Sequence, residues 1–344
     1  MRIIVDVMGG DNAPEQTVLG ALQAAREYAS SGVQYTLVGD EKRIREIAAG
    51  EGEDLSSFDI VHTEEFITME DDPLCVMRAK KESSMSVGLR LLAEGKGDAF
   101  VSTGNTGALF TGAMLIVRKI RGVQRAGIAA LLPLCNPVLL MDTGANVEVT
   151  EQNLEQFAQM GSAYMSKVFG LEAPRVGLLN NGTEECKGTP LQVAAYGRLS
   201  SCETIRFIGN VEGSALPTDV CDVLVTDGFT GNILLKTVEG MGKLLMSSLK
   251  GVFLSSWMKG KIAAAMVMKP LGDMKRRFDP NETGGAPILG ISKPVIKAHG
   301  SSNAKAFKNA IGQAITYASS SIIEDISKAM GAPKAQDGTS DAQA

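Results

Sequence analysis

The sequence predicts an α/β protein built on a largely parallel sheet with helices on both faces. Short apolar runs rich in β-branched residues alternate along the chain with segments of helical periodicity, a pattern typical of parallel sheets that are buried on both faces. Several runs end in small, polar, glycine-rich turns: IIVDVMGGDNAP, AFVSTGNTGA, VLLMDTGANVEV, VLVTDGFTGN and VIKAHGSSNAK. Such turns expose backbone N–H groups beside a helix start, where an anion such as phosphate binds.

The apolar runs predict the individual strands. They lie at about 2–7, 34–38, 59–62, 98–102, 127–132, 138–141, 175–179, 204–208 and 222–226. Helices are predicted between most of them. Thr150 is expected to cap a helix that Gly170 ends, and Asn303 precedes another whose apolar residues recur at three- and four-residue spacing. The whole α/β domain is predicted to span 1–330.

One segment departs from this alternation. From about 231 to 279 no convincing strand occurs, and apolar residues interleaved with lysines predict a projecting helical hairpin, about 233–279. The hairpin either packs in a dimer interface or as a lid on its own domain, or its tip rests on anionic lipid, and the two are compatible if the base dimerises and the tip is free. The tip residues are Phe253, Leu254, Trp257, Met258 and Ile262. Residues 331–344 are small and polar and are expected to be a disordered tail.

Composition excludes several function classes. A net charge of −5 argues against a dedicated nucleic-acid binder. Five cysteines without a C-x-x-C pair indicate reduced cytoplasmic thiols, and two histidines without H-E-x-x-H make a tightly held transition metal unexpected. The chain lacks G-x-G-x-x-G, Walker A and G-x-S-x-G patterns, which argues against tight NAD binding, P-loop hydrolysis of nucleotides and serine-ester hydrolysis. No apolar run approaches the roughly 18 residues of a membrane-spanning helix.

The glycine-rich turns carry the candidate binding residues. Because parallel strands place their carboxyl ends at one edge of a sheet, the turns are expected to meet there. Aspartates among them would repel phosphate unless they hold loop N–H groups in place or bind a cation, and we expect the holding role. Taken singly, each turn is also compatible with a purely structural role. The candidate phosphate- and substrate-binding residues are Gly9, Gly10, Asp11, Ser102, Thr106, Asp142, Asn146, Asp227, Gly228, Gly231, Ser301 and Asn303.

A set of sequence strings, in this order, resembles one enzyme family. The strings are VDVMGGDNAP, STGNTGA, NNGTEECKG, TDGFTGN, GGAP and IKAHGSSNAKAF, spread between Met1 and about Met330. Together they are similar to the phosphate acyltransferases of bacterial phospholipid synthesis, the PlsX family. Two positions depart from the usual family pattern: Val7 stands in place of Ala, and Thr143 stands in a DTGAN string that usually reads DVGAN.

The resemblance implies transfer of a long-chain acyl group from acyl carrier protein to inorganic phosphate, which gives acyl-phosphate for a membrane acyltransferase. It also implies a three-layer, Rossmann-like α/β/α fold akin to those of phosphotransacetylases and isopropylmalate dehydrogenases. A homodimer is implied as well, together with a peripheral link to the membrane. We therefore expect a cytoplasmic protein at the inner face of the cytoplasmic membrane, and we expect no cofactor.

This reaction suits donor-rich loops without a catalytic triad. A thiol of pKa about 8.5 leaves without strong acid assistance, and phosphate is itself a nucleophile. The protein must therefore position the two reactants and stabilise a tetrahedral oxyanion. We expect Lys187 and loop N–H groups to bind phosphate, and Asn232 or Asn105 to stabilise the oxyanion. His299, which shares its turn with Lys297, is expected to orient phosphate or to protonate the leaving thiolate.

The acyl carrier protein is acidic and should dock on a basic patch. Lys269, Lys275, Arg276 and Arg277 are one candidate, although a solvated turn or a lipid contact would suit them equally well. The sequence does not locate the groove for the acyl chain.

Three other functions remain open from the sequence. A metal- and NAD-dependent decarboxylating dehydrogenase would need a cluster of acidic ligands and arginines, and no convincing cluster of that kind is found. A short-chain phosphotransacetylase that uses coenzyme A esters is compatible with the loops. A noncatalytic scaffold recruited to the membrane would make the hairpin the functional part.

Overall fold

The computed structural model of the chain describes residues 1–134, 136–255, 272, 282 and 284–331, with the side chains of 250 and 252–255 excepted. The predicted second arm of the hairpin, the residues Trp257, Met258 and Ile262 of its tip, and the predicted tail beyond Gly331 lie outside these ranges. The backbone of Phe253 and Leu254 belongs to a described helix, but their side chains do not belong to the described part.

The sheet contains the predicted strands and further ones near the carboxyl end of the chain. Its strands are β1 (Arg2–Asp6), β2 (Gln34–Gly39), β3 (Phe58–His62), β4 (Ala99–Ser102), β5 (Gly127–Leu132), β6 (Val138–Met141), β7 (Arg175–Asn180), β8 (Arg206–Glu212), β9 (Val223–Val225), β10 (Gly285–Leu289) and β11 (Val295–Ala298). The sequence GAPIL of β10 was not predicted as a strand, because glycine and proline in so short a run are atypical of strands.

The helices of the described ranges cover both faces of the sheet. They are α1 (Glu15–Glu27), α2 (Glu41–Gly50), α3 (Ser84–Ala93), α4 (Thr106–Gly112), α5 (Glu151–Phe169), α6 (Pro190–Ser200), α7 (Gly228–Ser255), α8 (Ala304–Ala318) and α9 (Ile322–Ala329). Apolar residues of α1, α5 and α8 pack in one core cluster, whereas α3, α4 and α7 contribute to clusters that hold other sheet residues. The predicted α/β/α layering is thus confirmed.

Local signals placed the helix ends correctly. The Thr150 side chain accepts from the backbone N–H of Asn153 and the Asn153 side chain accepts in return from the N–H of Thr150, which together form a capping box at the start of α5. Gly170 ends α5 with a φ of 69°, a left-handed conformation that favours glycine. Asn303 caps α8 by accepting a hydrogen bond from the N–H of Ala306.

The strand directions correct one expectation from the sequence. The strand order is β3-β2-β1-β4-β11-β10-β5-β6-β9-β7-β8. Pairing is antiparallel between β11 and β10, between β10 and β5, and between β5 and β6, and parallel between the other neighbours. Three successive reversals mean that the parallel set around β1 and β4 runs opposite to the set around β6 and β9. The carboxyl ends therefore do not share the expected single edge, although residues of the turns after β1, β4, β6, β9 and β11 still line one cavity.

Among the described residues, no helix combines the length and the apolar character needed to cross a bilayer.

Candidate active site

A cavity of about 530 Å³ opens at the middle of the sheet, where the two parallel sets meet. Strands β10 and β5 pair at Ile288 with Ile128 and at Leu289 with Gly127. The cavity lies further along both strands, between Ala286 of β10 and Ala130 of β5. Helix α7 closes one side with residues at helical spacing: Asn232, Leu235, Lys236 and Glu239.

Asp6 organises the loops at the end of β1. Its buried carboxylate accepts hydrogen bonds from the N–H of Met8 at 3.1 Å, from the N–H of Gly9 at 3.2 Å and from Oγ of Ser102 at 2.6 Å. A Cβ at Gly9 would lie 2.8 Å from Cα of Gly104, so only glycine allows this approach of two backbones. Asp6 thus holds the loops of β1 and β4 together.

Asp142 has the same role at the end of β6. Its carboxylate accepts from the N–H groups of Ile128 at 3.1 Å, Ala145 at 3.2 Å and Asn146 at 2.6 Å. Burial raises the pKa of Asp142, and these donors counteract that rise. The carbonyl of Asn146 then accepts from the N–H of Gly228 at 2.7 Å, which fixes the start of α7. The expectation that aspartates hold loop N–H groups is confirmed at Asp6 and Asp142.

Helix α7 begins in direct contact with the Asp142 loop. The side chain of Asp227 accepts from the N–H of Thr230 at 2.8 Å, and a Cβ at Gly231 would come within 1.9 Å of the Asp142 carbonyl oxygen. The first turns of α7 therefore lie close to the end of β6. This contact brings Asn232 and Lys236 into the cavity.

Lys297 lies on β11 at the cavity wall and is 8% exposed. Its Nζ donates to the carbonyl of Thr103 at 3.3 Å and to that of Ala298. The pKa of Lys297 is lowered to about 8. Burial is the main cause, the Asp11 and Asp6 carboxylates partly oppose it, and the charge of Lys236 adds to the fall. Lys297 is therefore a desolvated cation at neutral pH.

His299 stands beside these lysines. Burial lowers its pKa, and the nearby charges of Lys236 and Lys297 lower it further. The Nδ1 atom of His299 accepts from the N–H of Ser301 at 3.3 Å and lies 2.9 Å from Oγ of Ser301. A neutral ring that accepts at Nδ1 carries its proton on Nε2. His299 is thus placed as a neutral hydrogen-bond donor at the cavity.

The structure brings part of the predicted set to the cavity wall. The predicted residues that line it are Asp11, Thr106, Asn232 and His299. Others shape the surrounding loops through the contacts above or through close backbone approaches: Gly9, Gly10, Ser102, Asp142, Asn146, Asp227, Gly228, Gly231, Ser301 and Asn303. The loops of β1, β4 and β11 meet here, since the N–H of Asp11 donates to the carbonyl of Gly300 at 2.9 Å.

Asn105 was one of two candidates to stabilise the oxyanion, but its side chain makes other contacts. Its amide nitrogen donates to the carbonyls of Thr68, Met69 and Asp71 at 3.0–3.2 Å, and its Oδ1 accepts from the N–H of Ala108. In this structure Asn105 holds the 68–71 loop, which places Met69 at the cavity rim. Its amide hydrogens are engaged there rather than directed at an oxyanion.

Lys187 lies on an exposed loop after β7, and it is not among the residues that line the cavity. The loop is held by its own contacts, since the Lys187 carbonyl accepts from Nδ2 of Asn180 at 3.0 Å and its N–H donates to the Glu184 carbonyl. The lysines that do line the cavity are Lys297 and Lys236. Sequence reasoning gave Lys297 no role and overlooked Lys236, although Lys236 follows Asn232 by one helical turn.

Comparisons with known proteins agree with this fold. The family model described as "Fatty acid synthesis protein" matches residues 1–325. A curated protein named "Phosphate acyltransferase" from Acetivibrio thermocellus is 46% identical over 327 residues, which are 95% of each chain. Another of that name, from Clostridioides difficile, is 43% identical over 330 residues, which are 95% of this chain and 96% of the relative.

Solved structures with the same fold include a phosphotransacetylase from Streptococcus pyogenes, with a TM-score of 0.59 and 17% identity, covering 96% of this chain and 94% of that one. A branched-chain phosphotransacylase from Enterococcus faecalis V583 has a TM-score of 0.52 and 15% identity, with coverages of 92% and 99%. At these identities the likeness concerns the fold alone. The family match and the curated relatives go further, and they show that the chain belongs to the phosphate acyltransferase family of enzymes.

Proposed function

We propose that this enzyme transfers a long-chain acyl group from acyl carrier protein to inorganic phosphate, giving acyl-phosphate for glycerol-3-phosphate acylation in phospholipid synthesis. The observation that carries the proposal is the group of Lys297, Lys236 and His299 around one cavity between the two halves of the sheet. The curated relatives named "Phosphate acyltransferase" support the same chemistry.

Phosphate binds, in this proposal, between Lys297 and Lys236. A cation with low exposure attracts an anion more strongly than an exposed one, because less water screens the charge. Lys297 is the buried member of the pair, and Lys236 is also ion-paired with Glu239 at 2.9 Å. Thr106, at the first turn of α4, can donate its hydroxyl to the same anion.

The reaction is a nucleophilic acyl substitution at the thioester carbonyl. An oxygen of hydrogen phosphate attacks the carbonyl carbon, and the C–O bond forms while the carbonyl oxygen becomes an oxyanion. Collapse breaks the C–S bond, and the proton of hydrogen phosphate ends on the released thiol. The products are acyl-phosphate and the free thiol of the carrier. No covalent intermediate on the protein is needed, because phosphate itself is the nucleophile.

His299 and Asn232 act as donors in this step. A neutral imidazole with its proton on Nε2 donates a hydrogen bond but is not a general acid, so the lowered pKa of His299 favours orienting phosphate or stabilising the oxyanion over protonating the thiolate. Asn232, at the cavity on the first turns of α7, is the second proposed oxyanion donor. Phosphate binding by Lys187 stays a prediction with less support, since Lys187 does not line the cavity.

The remaining parts of the proposal concern partners and location. The donor is acyl carrier protein, the enzyme is a homodimer, and it contacts the inner face of the cytoplasmic membrane from the cytoplasm. The predicted tip and the predicted basic dock lie outside the residues whose side chains are described. The described part of α7 supports an interface, because Ile233, Met241, Leu244 and Leu245 are exposed along it.

Two substitutions test the phosphate site. Lys297→Met should raise the phosphate KM about tenfold or more, because it removes a charge-assisted hydrogen bond. His299→Gln should lower kcat with a smaller change in phosphate KM. The measurement is phosphate-dependent release of thiol from long-chain acyl-[acyl-carrier-protein] by the purified full chain. Lys293→Met is the control, since Lys293 lies in the connection between β10 and β11, outside the cavity lining.

A wild-type enzyme that releases thiol without needing phosphate would contradict the proposed reaction. An unchanged phosphate KM in Lys297→Met, with normal folding, would remove Lys297 from the phosphate site.

A further inference from the structure

The cavity has an apolar side that the phosphate chemistry does not use. It is formed by Ala130, Leu131 and Pro133 on and after β5 and by Leu235 on α7. These residues share one continuous space with Lys297 and His299. A ligand held at the lysines can therefore extend along the sheet onto apolar side chains without leaving the cavity.

Strand register places Lys297 and Ala130 on one face of the sheet, because Ala286 and Ala130 each lie two residues from the opposed pair Ile288 and Ile128. Lys297 of β11 is directly opposite Ala286 of β10, and Ala130 of β5 is directly opposite Leu140 of β6. Directly opposed residues of antiparallel strands point to the same face. Leu140 belongs to the core cluster against which Leu235 packs, so Ala130 and Leu235 are on the same side.

The distance between the two ends suits an acyl thioester with phosphate beside it. Neighbouring strands are about 4.8 Å apart, so β11 and β5, with β10 between them, are about 10 Å apart. Phosphate at Lys297 and the first acyl carbons at Ala130 would then lie side by side rather than overlap. The total volume of about 530 Å³ is typical of small-molecule sites, which measure about 300–1,000 Å³.

We propose that the apolar side of this cavity holds the acyl chain next to the thioester carbonyl, and that Ala130 and Leu235 determine which chain lengths are accepted. The inference rests on the proposed phosphate acyl transfer. Ala130 is the smallest residue of this wall and follows the bulkier Ile128 on the same face of β5, so it leaves the space that an alkyl chain enters. Each methylene buried there should raise kcat/KM about fourfold.

A chain-length series tests this assignment. The full-length wild type and Ala130→Leu are compared on acyl-[acyl-carrier-protein] from butyryl to palmitoyl, with saturating phosphate. Ala130→Leu should lower kcat/KM for the long chains about tenfold relative to the shortest chain that is turned over, because the added side chain fills the slot. The phosphate KM should stay unchanged, which distinguishes this effect from damage at Lys297.

A second variant separates the effect from poor folding. Adding Leu235→Ala to Ala130→Leu should return part of the long-chain activity, because it removes side-chain volume on the same face. Leu115→Ala is the matched control: Leu115 is 51% exposed and does not line the cavity, so it should leave the length profile of the wild type unchanged.

Equal losses at all chain lengths in Ala130→Leu, without recovery in the double variant, would overturn the assignment. A wild type without phosphate-dependent turnover of any acyl donor would instead contradict the proposed function and remove this inference with it. Phosphate-dependent turnover in the wild type with an unshifted length profile in both variants would contradict the acyl assignment alone.

Discussion

At the scale of single residues, the surroundings of Lys297 decide its chemistry. Burial holds its pKa at about 8, below that of a free lysine, because a desolvated ammonium is less stable than one in water. Below that pKa the side chain is a cation, as the proposed phosphate site requires, and above it the charge is lost. A surface lysine would keep its charge through the same pH range.

This environment predicts a pH dependence. In the free enzyme, kcat/KM for phosphate should fall about tenfold for each pH unit above a pKa of about 8. Phosphate stays dianionic over that range, so the fall reports a group of the enzyme. Steady-state kinetics between neutral and alkaline pH measures it. Lys297→Arg is the comparison, because a guanidinium keeps its charge there; a flat wild-type profile would show that Lys297 is not required as a cation.

At the scale of elements, the start of α7 connects the Asp142 loop to the cavity. The Asp142 loop fixes Gly228 through the Asn146 carbonyl, and Gly231 lies directly against the Asp142 carbonyl. The positions of Asn232 and Lys236 therefore depend on the backbone contact between Gly231 and Asp142. Glycine is required at 231 for close approach, not for its conformational freedom.

Gly231→Ala should displace the first turns of α7. The added Cβ would lie 1.9 Å from the Asp142 oxygen, so the backbone must move, at a cost of about 1–3 kcal/mol or more. We expect a lower Tm and a higher phosphate KM. Gly240→Ala on the same helix is the matched control, since a Cβ there meets nothing within 4 Å; it should gain about 1 kcal/mol from helix propensity. Equal Tm and KM in both variants would refute the coupling.

At the scale of the whole molecule, α7 presents one face to the cavity and another to the surface. One face lines the cavity, while a neighbouring face exposes large apolar residues: Phe229, Ile233, Met241, Leu244 and Leu245. Several exposed large apolar residues along one helix are typical of a surface that contacts a partner. We expect a second copy of the chain to cover it, as a homodimer with two-fold symmetry would do.

Replacing both Met241 and Leu244 with Glu should prevent the expected dimer from forming at micromolar concentration, because the interface would then bury unpaired charges. Sedimentation equilibrium measures the mass. Val193→Glu on α6 is the control, since Val193 is also exposed, at 43%, but lies on another helix. A wild type that sediments as a monomer would contradict the prediction.

Much of the fold could be predicted because its signals are local. The β-branched runs predicted the strands β1 to β9 within a few residues, and caps such as Thr150 and Asn303 placed helix starts. The holding role of Asp6 and Asp142 also follows from nearby chain, since each accepts N–H groups from the loop that follows it.

The sequence by itself therefore determined the strands β1 to β9, helix caps such as Thr150 and Asn303, and the holding role of the loop aspartates, because these depend on residues a few positions apart. Only the tertiary structure decided which loops meet. Long-range pairing of β10 with β5 is one of the antiparallel pairs that reverse the strand direction. Lys297 is buried at the cavity wall, and the Asn105 side chain donates hydrogen bonds to the 68–71 loop. These outcomes depend on partners distant in the chain, and no local pattern specifies them.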